Sequence, residues 1–157
     1  MTPADWPLLR TWLARSDIEA WWGPRSATEP GIRLAIESRG LCSMILSGGT
    51  AVGFAQAVDA TIWGADLPAG LPAGTWDIDV FVAAEDQRGR GIGSAALTTL
   101  VDEVFATTLA VAVSIFVSVR NERAVRAYEK AGFRWVAIAH DPALGPEWVM
   151  LLERPTR

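Results

Sequence analysis

The chain reads Gln87-Arg88-Gly89-Arg90-Gly91-Ile92-Gly93 near its middle, shortly after an apolar run that ends at Val82. From Leu97 to Phe105, large apolar residues recur at the spacing of one helical face. This order predicts a strand, a glycine turn and a helix. Glycine allows positive φ and leaves backbone amides open to a ligand, and the first turn of a helix has unpaired N–H groups. The turn is therefore predicted to bind phosphate, with Arg88 and Arg90 adding mobile positive charge.

The glycine spacing does not by itself identify the phosphate-bearing ligand. Gly89-x-Gly91-x-Gly93 differs from the G-x-G-x-x-G pattern of dinucleotide-binding proteins and lacks the Gly-Lys-Ser/Thr ending of a nucleotide P-loop. A glycine turn without any ligand is the structural alternative, and a nucleotide is a competing ligand. The interleaved arginines and the helix that follows at once favour a binding role.

Length and composition predict one globular domain over residues 1–157. Of the 157 residues, 50% are apolar and 20% are charged, and the formal net charge is −4. This charge argues against nucleic acid as the main partner and mildly favours a cationic substrate. One cysteine and one histidine are too few for an internal disulfide or a histidine-based metal cluster. Without a signal layout or a long apolar run, we expect a cytoplasmic protein with no metal and no membrane partner.

Apolar periodicity and turn residues predict alternating helices and strands. Helices are expected around residues 8–13, capped by Asp5, and over 31–38, 97–105 and 123–130. Strands are expected at 44–46, 52–60, 76–82, 111–117, 133–139 and 148–152. The segment 61–75, with its prolines and glycines, is a candidate mobile substrate loop. The fold class is therefore mixed α+β, with antiparallel hairpins at both ends and strand–helix–strand units between them.

Two motifs resemble the GCN5-related N-acetyltransferase (GNAT) superfamily. Residues 82–93 are similar to its acyl-CoA-binding motif, whose core Arg/Gln-x-x-Gly-x-Gly/Ala corresponds to residues 88–93. Asn121, Ala124, Tyr128 and the run 129–133 are similar to its later Asn…Tyr-Glu-Lys-x-Gly-Phe segment. The resemblance implies a central mixed, mostly antiparallel sheet flanked by helices, and acetyl-CoA as co-substrate.

The N-terminal half resembles aminoglycoside 6'-N-acetyltransferases within that superfamily. The similarity lies in Trp21-Trp22-Gly23, in the hairpin over 46–56 and in Asp77-Ile78-Asp79. Asp77 stands where those enzymes have glycine, and Ser118-Val119 replaces an Asp-Pro pair, so one acid that would help to hold a polycationic drug is missing. Other amines, such as a polyamine, a small metabolite or a siderophore-type intermediate, are therefore alternative acceptors.

The resemblance implies which residues bind acetyl-CoA. The amides of the glycine turn would bind the pyrophosphate, and the end of the preceding strand would align the pantetheine arm by backbone hydrogen bonds and polarise the thioester. Asn121 would hydrogen-bond the cofactor, cap the next helix, or do both. The candidate cofactor-binding residues are Phe81, Val82, Arg88, Gly89, Arg90, Gly91, Ile92, Gly93, Ser94 and Asn121.

Tyr128 and Asp79 are the candidate catalytic residues. Tyr128, the only tyrosine, matches the family's general acid for the CoA sulfur, although it shares a stripe with alanines and could simply pack. Asp77 and Asp79 lie two apart, so in a strand they project from one face and could bind an ammonium group and draw off its proton. The alternative is that both solvate an exposed strand face. Trp22 and Trp76 could supply flat walls for a sugar or a cationic amine.

Adjacent tryptophans carry a further expectation, because neighbours in sequence cannot share one face. At least one of Trp21 and Trp22 should be partly exposed or line a cleft, unless both wedge into the edge of the core.

The predicted function is N-acetyl transfer from acetyl-CoA to the primary amine of a small cationic molecule, possible acceptors including an aminoglycoside. A protein or peptide N-acetyltransferase and a non-catalytic acyl-CoA-binding domain are the alternatives, and either a monomer or a homodimer would serve.

Overall fold

The computed structural model describes residues 1–64, 67–68 and 70–156. Five helices lie at Trp6–Leu13 (α1), Ser16–Trp22 (α2), Arg25–Glu37 (α3), Ile92–Thr107 (α4) and Glu122–Lys130 (α5). Six strands lie at Leu41–Ser47 (β1), Thr50–Asp59 (β2), Thr75–Val82 (β3), Ala112–Ser118 (β4), Arg134–Asp141 (β5) and Gly145–Glu153 (β6). Short 3-10 turns occupy Pro3–Asp5, Ala60–Trp63 and Glu85–Gln87.

The six strands form one mixed sheet in the order β1-β2-β3-β4-β6-β5. Only β3 and β4 pair in parallel, and all the other neighbours are antiparallel. The predicted α+β class, with a mostly antiparallel mixed sheet flanked by helices, is therefore confirmed.

The parallel pair separates along its length. Residues 75–77 of β3 pair with residues 112–114 of β4, but the pairing stops there, although both strands continue to Val82 and Ser118. β3 remains paired with β2 up to Val82. The sheet is consequently split between the ends of β3 and β4, and the backbone along this split is open for a ligand to pair with.

Each face of the sheet buries its own hydrophobic core. Along β3, Asp77, Asp79 and Phe81 alternate with Ile78 and Val80, because successive strand residues point to opposite faces. Phe81 packs with Phe54 and residues of α1 to α3, whereas Ile78 and Val80 pack with residues of α4 and α5. The acidic face of β3 is thus the face covered by the N-terminal helices.

Three local predictions for the N-terminal region were wrong. Helix α2 was not anticipated, and α3 begins at Arg25 rather than Gly31 with Pro30 inside it, because burial of Ile32 and Ala35 offsets the missing amide donor. The Asp5 carboxylate does not cap α1. It accepts hydrogen bonds from the backbone N–H and hydroxyl of Thr2 at 2.6 and 3.0 Å.

The candidate substrate loop over 61–75 is only partly described. It begins with the 3-10 turn that ends at Trp63, while Ala65, Asp66 and Ala69 lie outside the described residues. None of the helices in the described part of the chain is long and apolar enough to cross a membrane.

Candidate active site

The glycine turn has the strand–turn–helix arrangement that its sequence predicts. Gly89 and Gly91 have φ of +76° and +80°, the left-handed region that glycine adopts without strain. Gly91 is the N-cap of α4, and a Cβ at this position would meet nothing within 4 Å, so the turn is open on that side. Glycine is needed there for the backbone conformation.

The backbone amides of residues 89–94 are free of acceptors in the described part of the chain. None of them donates to a backbone or side-chain acceptor among the described residues, and the first bond of α4 runs from the Ala95 N–H to the Gly91 carbonyl at 2.9 Å. The Arg88 N–H already donates to the Glu85 carbonyl at 3.2 Å. A run of free amides at a helix N-terminus fits the pyrophosphate of coenzyme A, and it begins at Gly89 rather than at Arg88.

The Arg88 guanidinium is fixed, which contradicts the prediction that it adds mobile charge. Its Nε donates to the Val82 carbonyl at 2.7 Å and its NH2 to Asp17 Oδ2 at 2.7 Å. Hydrogen bonds from Arg15 and Arg88 lower the pKa of Asp17 to about 2. Arg88 therefore ties the turn to α2 and to the end of β3, while Arg90 is exposed.

Asn121 lies on the opposite side of the split in the sheet. Its Oδ1 accepts a hydrogen bond from the Ala124 N–H at 3.3 Å, which is the helix-capping role expected for it. Asn121 also lines the cavity described next, so capping and contact with a cofactor are geometrically compatible.

A cavity of about 810 Å³ extends from Arg88, at the edge of the glycine turn, across the acidic face of β3; residues 89–94 are not among those that line it. Trp22 lines it and packs edge-on against Phe81, with ring centroids 4.7 Å apart, while Trp21 is 44% exposed. The expectation that at least one of this pair is exposed or lines a cleft is confirmed. The predicted site residues that line the cavity are Trp22, Asp77, Asp79, Phe81, Val82, Arg88, Asn121 and Tyr128.

Asp77 and Asp79 share one face, as the strand spacing predicts, but that face is covered. Asp77 is 7% exposed, and its two oxygens accept hydrogen bonds from Trp63 Nε1 at 3.0 Å and Ser114 Oγ at 3.2 Å. Burial, and then the charge of Asp79, raise the pKa of Asp77. The alternative of a solvated strand face is excluded, and Asp77 is already fully paired within the protein.

Asp79 differs from Asp77 in having a free oxygen. Oδ2 accepts a hydrogen bond from Gln56 Nε2 at 3.0 Å, and Oδ1 has no donor among the described residues. Burial raises the pKa of Asp79, and the Gln56 hydrogen bond partly offsets that rise. A carboxylate with one held and one free oxygen, and with a raised pKa, is suited to accept a proton.

Tyr128 lines the same cavity from α5 and packs against Phe133, with ring centroids 6.1 Å apart. Burial and the nearby charge of Asp79 raise the pKa of the Tyr128 phenol. The phenol therefore stays protonated at neutral pH, as a proton donor requires. Its role as general acid stays a prediction.

Trp76 does not belong to the site, and the prediction that it walls the acceptor is not supported. It alternates with Asp77 along β3, so it lies on the opposite face of the sheet, where it packs against the core that includes Ile78.

The cavity residues that the sequence did not single out include Gln56, Trp63 and Glu147. Gln56 is a polar residue inside the otherwise apolar β2, which is a signal that could have been used. Trp63 falls in the segment predicted as a loop, and Glu147 lies just before the predicted last strand, 148–152, whereas in the structure that strand begins at Gly145. Among the described residues, no group of three His, Cys, Asp or Glu side chains is placed to hold a metal ion.

Comparisons with known proteins identify the family. A family model described as "Acetyltransferase (GNAT) domain" matches residues 2–140. The type 1 aminoglycoside N(6')-acetyltransferases of Klebsiella pneumoniae and Serratia marcescens are each 32% identical over 152 residues, a match that spans 85% of this chain and 71% of theirs.

Solved structures give the same result. The crystal structure of aminoglycoside acetyltransferase AAC(6')-Ib in complex with coenzyme A superposes on this chain with a TM-score of 0.81 and 28% sequence identity. The crystal structure of the same enzyme with coenzyme A and kanamycin superposes with a TM-score of 0.80 and 27% sequence identity. Both superpositions cover 98% of this chain and 92% of the other. Because sequence and fold agree over most of its length, this protein belongs to the GNAT family and is an acetyl-CoA-dependent N-acetyltransferase.

Proposed function

We propose that the enzyme transfers the acetyl group to a primary amine of an aminoglycoside or a closely similar polycationic amine. The observation that carries this proposal is the half-free carboxylate of Asp79, placed in a large cavity that also reaches Arg88 beside the glycine turn. The names of the relatives, which include aminoglycoside N(6')-acetyltransferases, support the same acceptor class.

The charges in the cavity are divided between its two ends. Arg123 lies beside Gly89 at the glycine turn, where a pyrophosphate would bind, and Arg88 at the same end is paired with Asp17. Four acids line the remainder of the cavity: Asp77, Asp79, Asp141 and Glu147. This division suits an anionic cofactor at one end and a cationic acceptor at the other, because each ligand meets charge of opposite sign.

Acetyl-CoA would be bound by the amides of residues 89–94 and by the open backbone of β3 near Phe81 and Val82, and it supplies an acetyl group activated as a thioester. Asp79 takes the proton that an ammonium group must lose before its nitrogen can react. Tyr128 holds the proton that the departing sulfur needs. Trp22 forms an apolar wall of the acceptor region.

The proposal is tested by measuring thiol release from acetyl-CoA with a panel of acceptors. Kanamycin and ribostamycin should be turned over with kcat/KM at least tenfold above spermidine, single amino acids and a lysine-containing peptide. Acetylation of the peptide alone would indicate a protein acetyltransferase instead. Tight binding of coenzyme A without turnover of any amine would indicate a non-catalytic domain, and stabilisation by NAD or ATP but not by coenzyme A would indicate a nucleotide binder.

A further inference from the structure

We propose that Glu147 binds a second ammonium group of the acceptor, distinct from the amine that loses its proton to Asp79. This inference rests on the proposed function and deepens it: the enzyme would select amines that carry at least two positive charges. It makes Glu147 a specificity-determining residue.

The position of Glu147 follows from the register of the sheet. On β6 it lies directly opposite Ser118 of β4 and Ala139 of β5, and all three line the cavity. Side chains directly opposite in antiparallel strands are about 5 Å apart at Cβ. The small side chains of Ser118 and Ala139 leave room beside Glu147, so of these three residues only Glu147 presents a charged group to the cavity.

Glu147 has no partner among the residues that the structure describes. The carboxylate forms no ion pair with any residue that the structure describes, and it accepts no hydrogen bond from one. The charged groups closest to it are acidic, namely Asp141 on the adjoining strand β5 and, beyond β4, Asp77 and Asp79 on β3; His140 of β5 also lines the cavity. Half-burial and the charges of Asp141 and Asp79 raise the pKa of Glu147 to about 7. A cation from outside the protein would relieve this repulsion.

A second observation also indicates a donor-rich ligand. Gln56 is 4% exposed and lines the cavity, and its Nε2 is held by Asp79, but its Oε1 is buried without a donor among the described residues. Buried acceptors are normally paired, and leaving one unpaired is unfavourable. An ammonium group, with three donors, could serve Asp79 and Gln56 together.

Two binding positions for cations follow from this arrangement. One comprises Asp79 and Gln56 at the split in the sheet, where the acetyl group is delivered. The other is Glu147 on β6. A monoamine can occupy only one of them, whereas a diamine or an amino sugar with several amines can occupy both.

The decisive experiment compares Glu147→Gln with wild type on two acceptors. Kanamycin carries several amines, and a glycoside of 6-amino-6-deoxyglucose carries a single one. We expect the variant to raise KM for kanamycin about tenfold, the loss of one charge pair, and to change kcat/KM for the monoamine less than twofold. Glu153→Gln, on the same strand but exposed and paired with Arg134, is the matched control and should change neither.

The two proposals fail differently. If wild type turns over neither compound, the proposed function is wrong, and the inference is then decided by calorimetric titration of the coenzyme A complex with kanamycin, spermidine and butylamine. Weaker binding of the polyamines alone to Glu147→Gln supports the second cation position. Equal binding of all three amines to wild type and to Glu147→Gln overturns the inference. In the kinetic experiment, it is also overturned if Glu147→Gln leaves KM unchanged for both acceptors or raises KM equally for both. A melting temperature within a few degrees of wild type shows that the variant is folded.

Discussion

The indole N–H of Trp63 donates a hydrogen bond to Oδ2 of Asp77 at 3.0 Å. This contact joins the 3-10 turn after β2 to the strand that leads into the glycine turn. The other oxygen of Asp77 is bonded by Ser114 of β4, at the last residue pair before β3 and β4 separate. Asp77 is therefore positioned to hold the start of the split rather than to contact the acceptor.

Trp63→Phe should destabilise the protein by about 1–3 kcal/mol, because it leaves a buried carboxylate oxygen without its donor. Urea unfolding followed by fluorescence measures this change. Trp21→Phe is the control, since Trp21 is 44% exposed, close to the 45% of Trp63, and no hydrogen bond of its side chain is found among the described residues. An unchanged midpoint for Trp63→Phe would mean that the hydrogen bond contributes nothing to stability.

Asp77→Asn and Asp79→Asn should differ strongly in their effect on kcat/KM. An asparagine at 77 can still accept a hydrogen bond from Trp63 and donate one to the Ser114 hydroxyl. The Asp77→Asn variant should therefore fold, and its kcat/KM should stay within about threefold of wild type. An asparagine at 79 cannot take a proton, and kcat/KM should fall about 10²–10⁴-fold. Steady-state kinetics on both variants decides the matter; a larger loss at 77 than at 79 would assign the base to Asp77.

The local motifs were predictable from the sequence, whereas the long-range partners were not. The glycine turn and Asn121 are specified by residues adjacent in the chain, so spacing was sufficient to predict their backbone geometry. The fixed role of Arg88 depends on Asp17, 71 residues away. Glu147 enters the cavity only because β6 lies between β4 and β5, an order that local periodicity does not encode.

Tyr128→Phe should lower kcat about 10²–10⁴-fold while leaving the affinity for coenzyme A unchanged. The raised pKa keeps the phenol protonated across the working pH range, and phenylalanine preserves the packing on Phe133 while removing that proton. Single-turnover kinetics, with a parallel titration of coenzyme A, separates chemistry from binding. If kcat stays within twofold, Tyr128 is a packing residue.

Asp17→Asn should weaken the binding of coenzyme A about three- to tenfold, because Arg88 loses the carboxylate that anchors it beside the turn. The pKa of Asp17 is lowered to about 2, so its contribution to stability is present above its ordinary pKa near 3.8 and is lost as the pH falls towards 2. Calorimetry and acid unfolding test the two effects. Glu122→Gln, which removes an exposed pair with Arg126, should change neither.

Glu147→Gln should stabilise the free protein in a pH-dependent way. The pKa of Glu147 rises from 4.5 to about 7 on folding, so the folded state favours the protonated form, and this advantage is lost as the pH rises through 7. The variant should therefore match wild type below pH 4.5 and gain about 1–2 kcal/mol above pH 7, allowing for solvent screening of a half-exposed group. Urea unfolding at pH 4.5 and pH 8 measures this difference, and saturating kanamycin should reduce it at pH 8. An equal gain in the free energy of unfolding at both pH values would contradict this prediction, because repulsion of a charged Glu147 by Asp79 and Asp141 should act only at the higher pH.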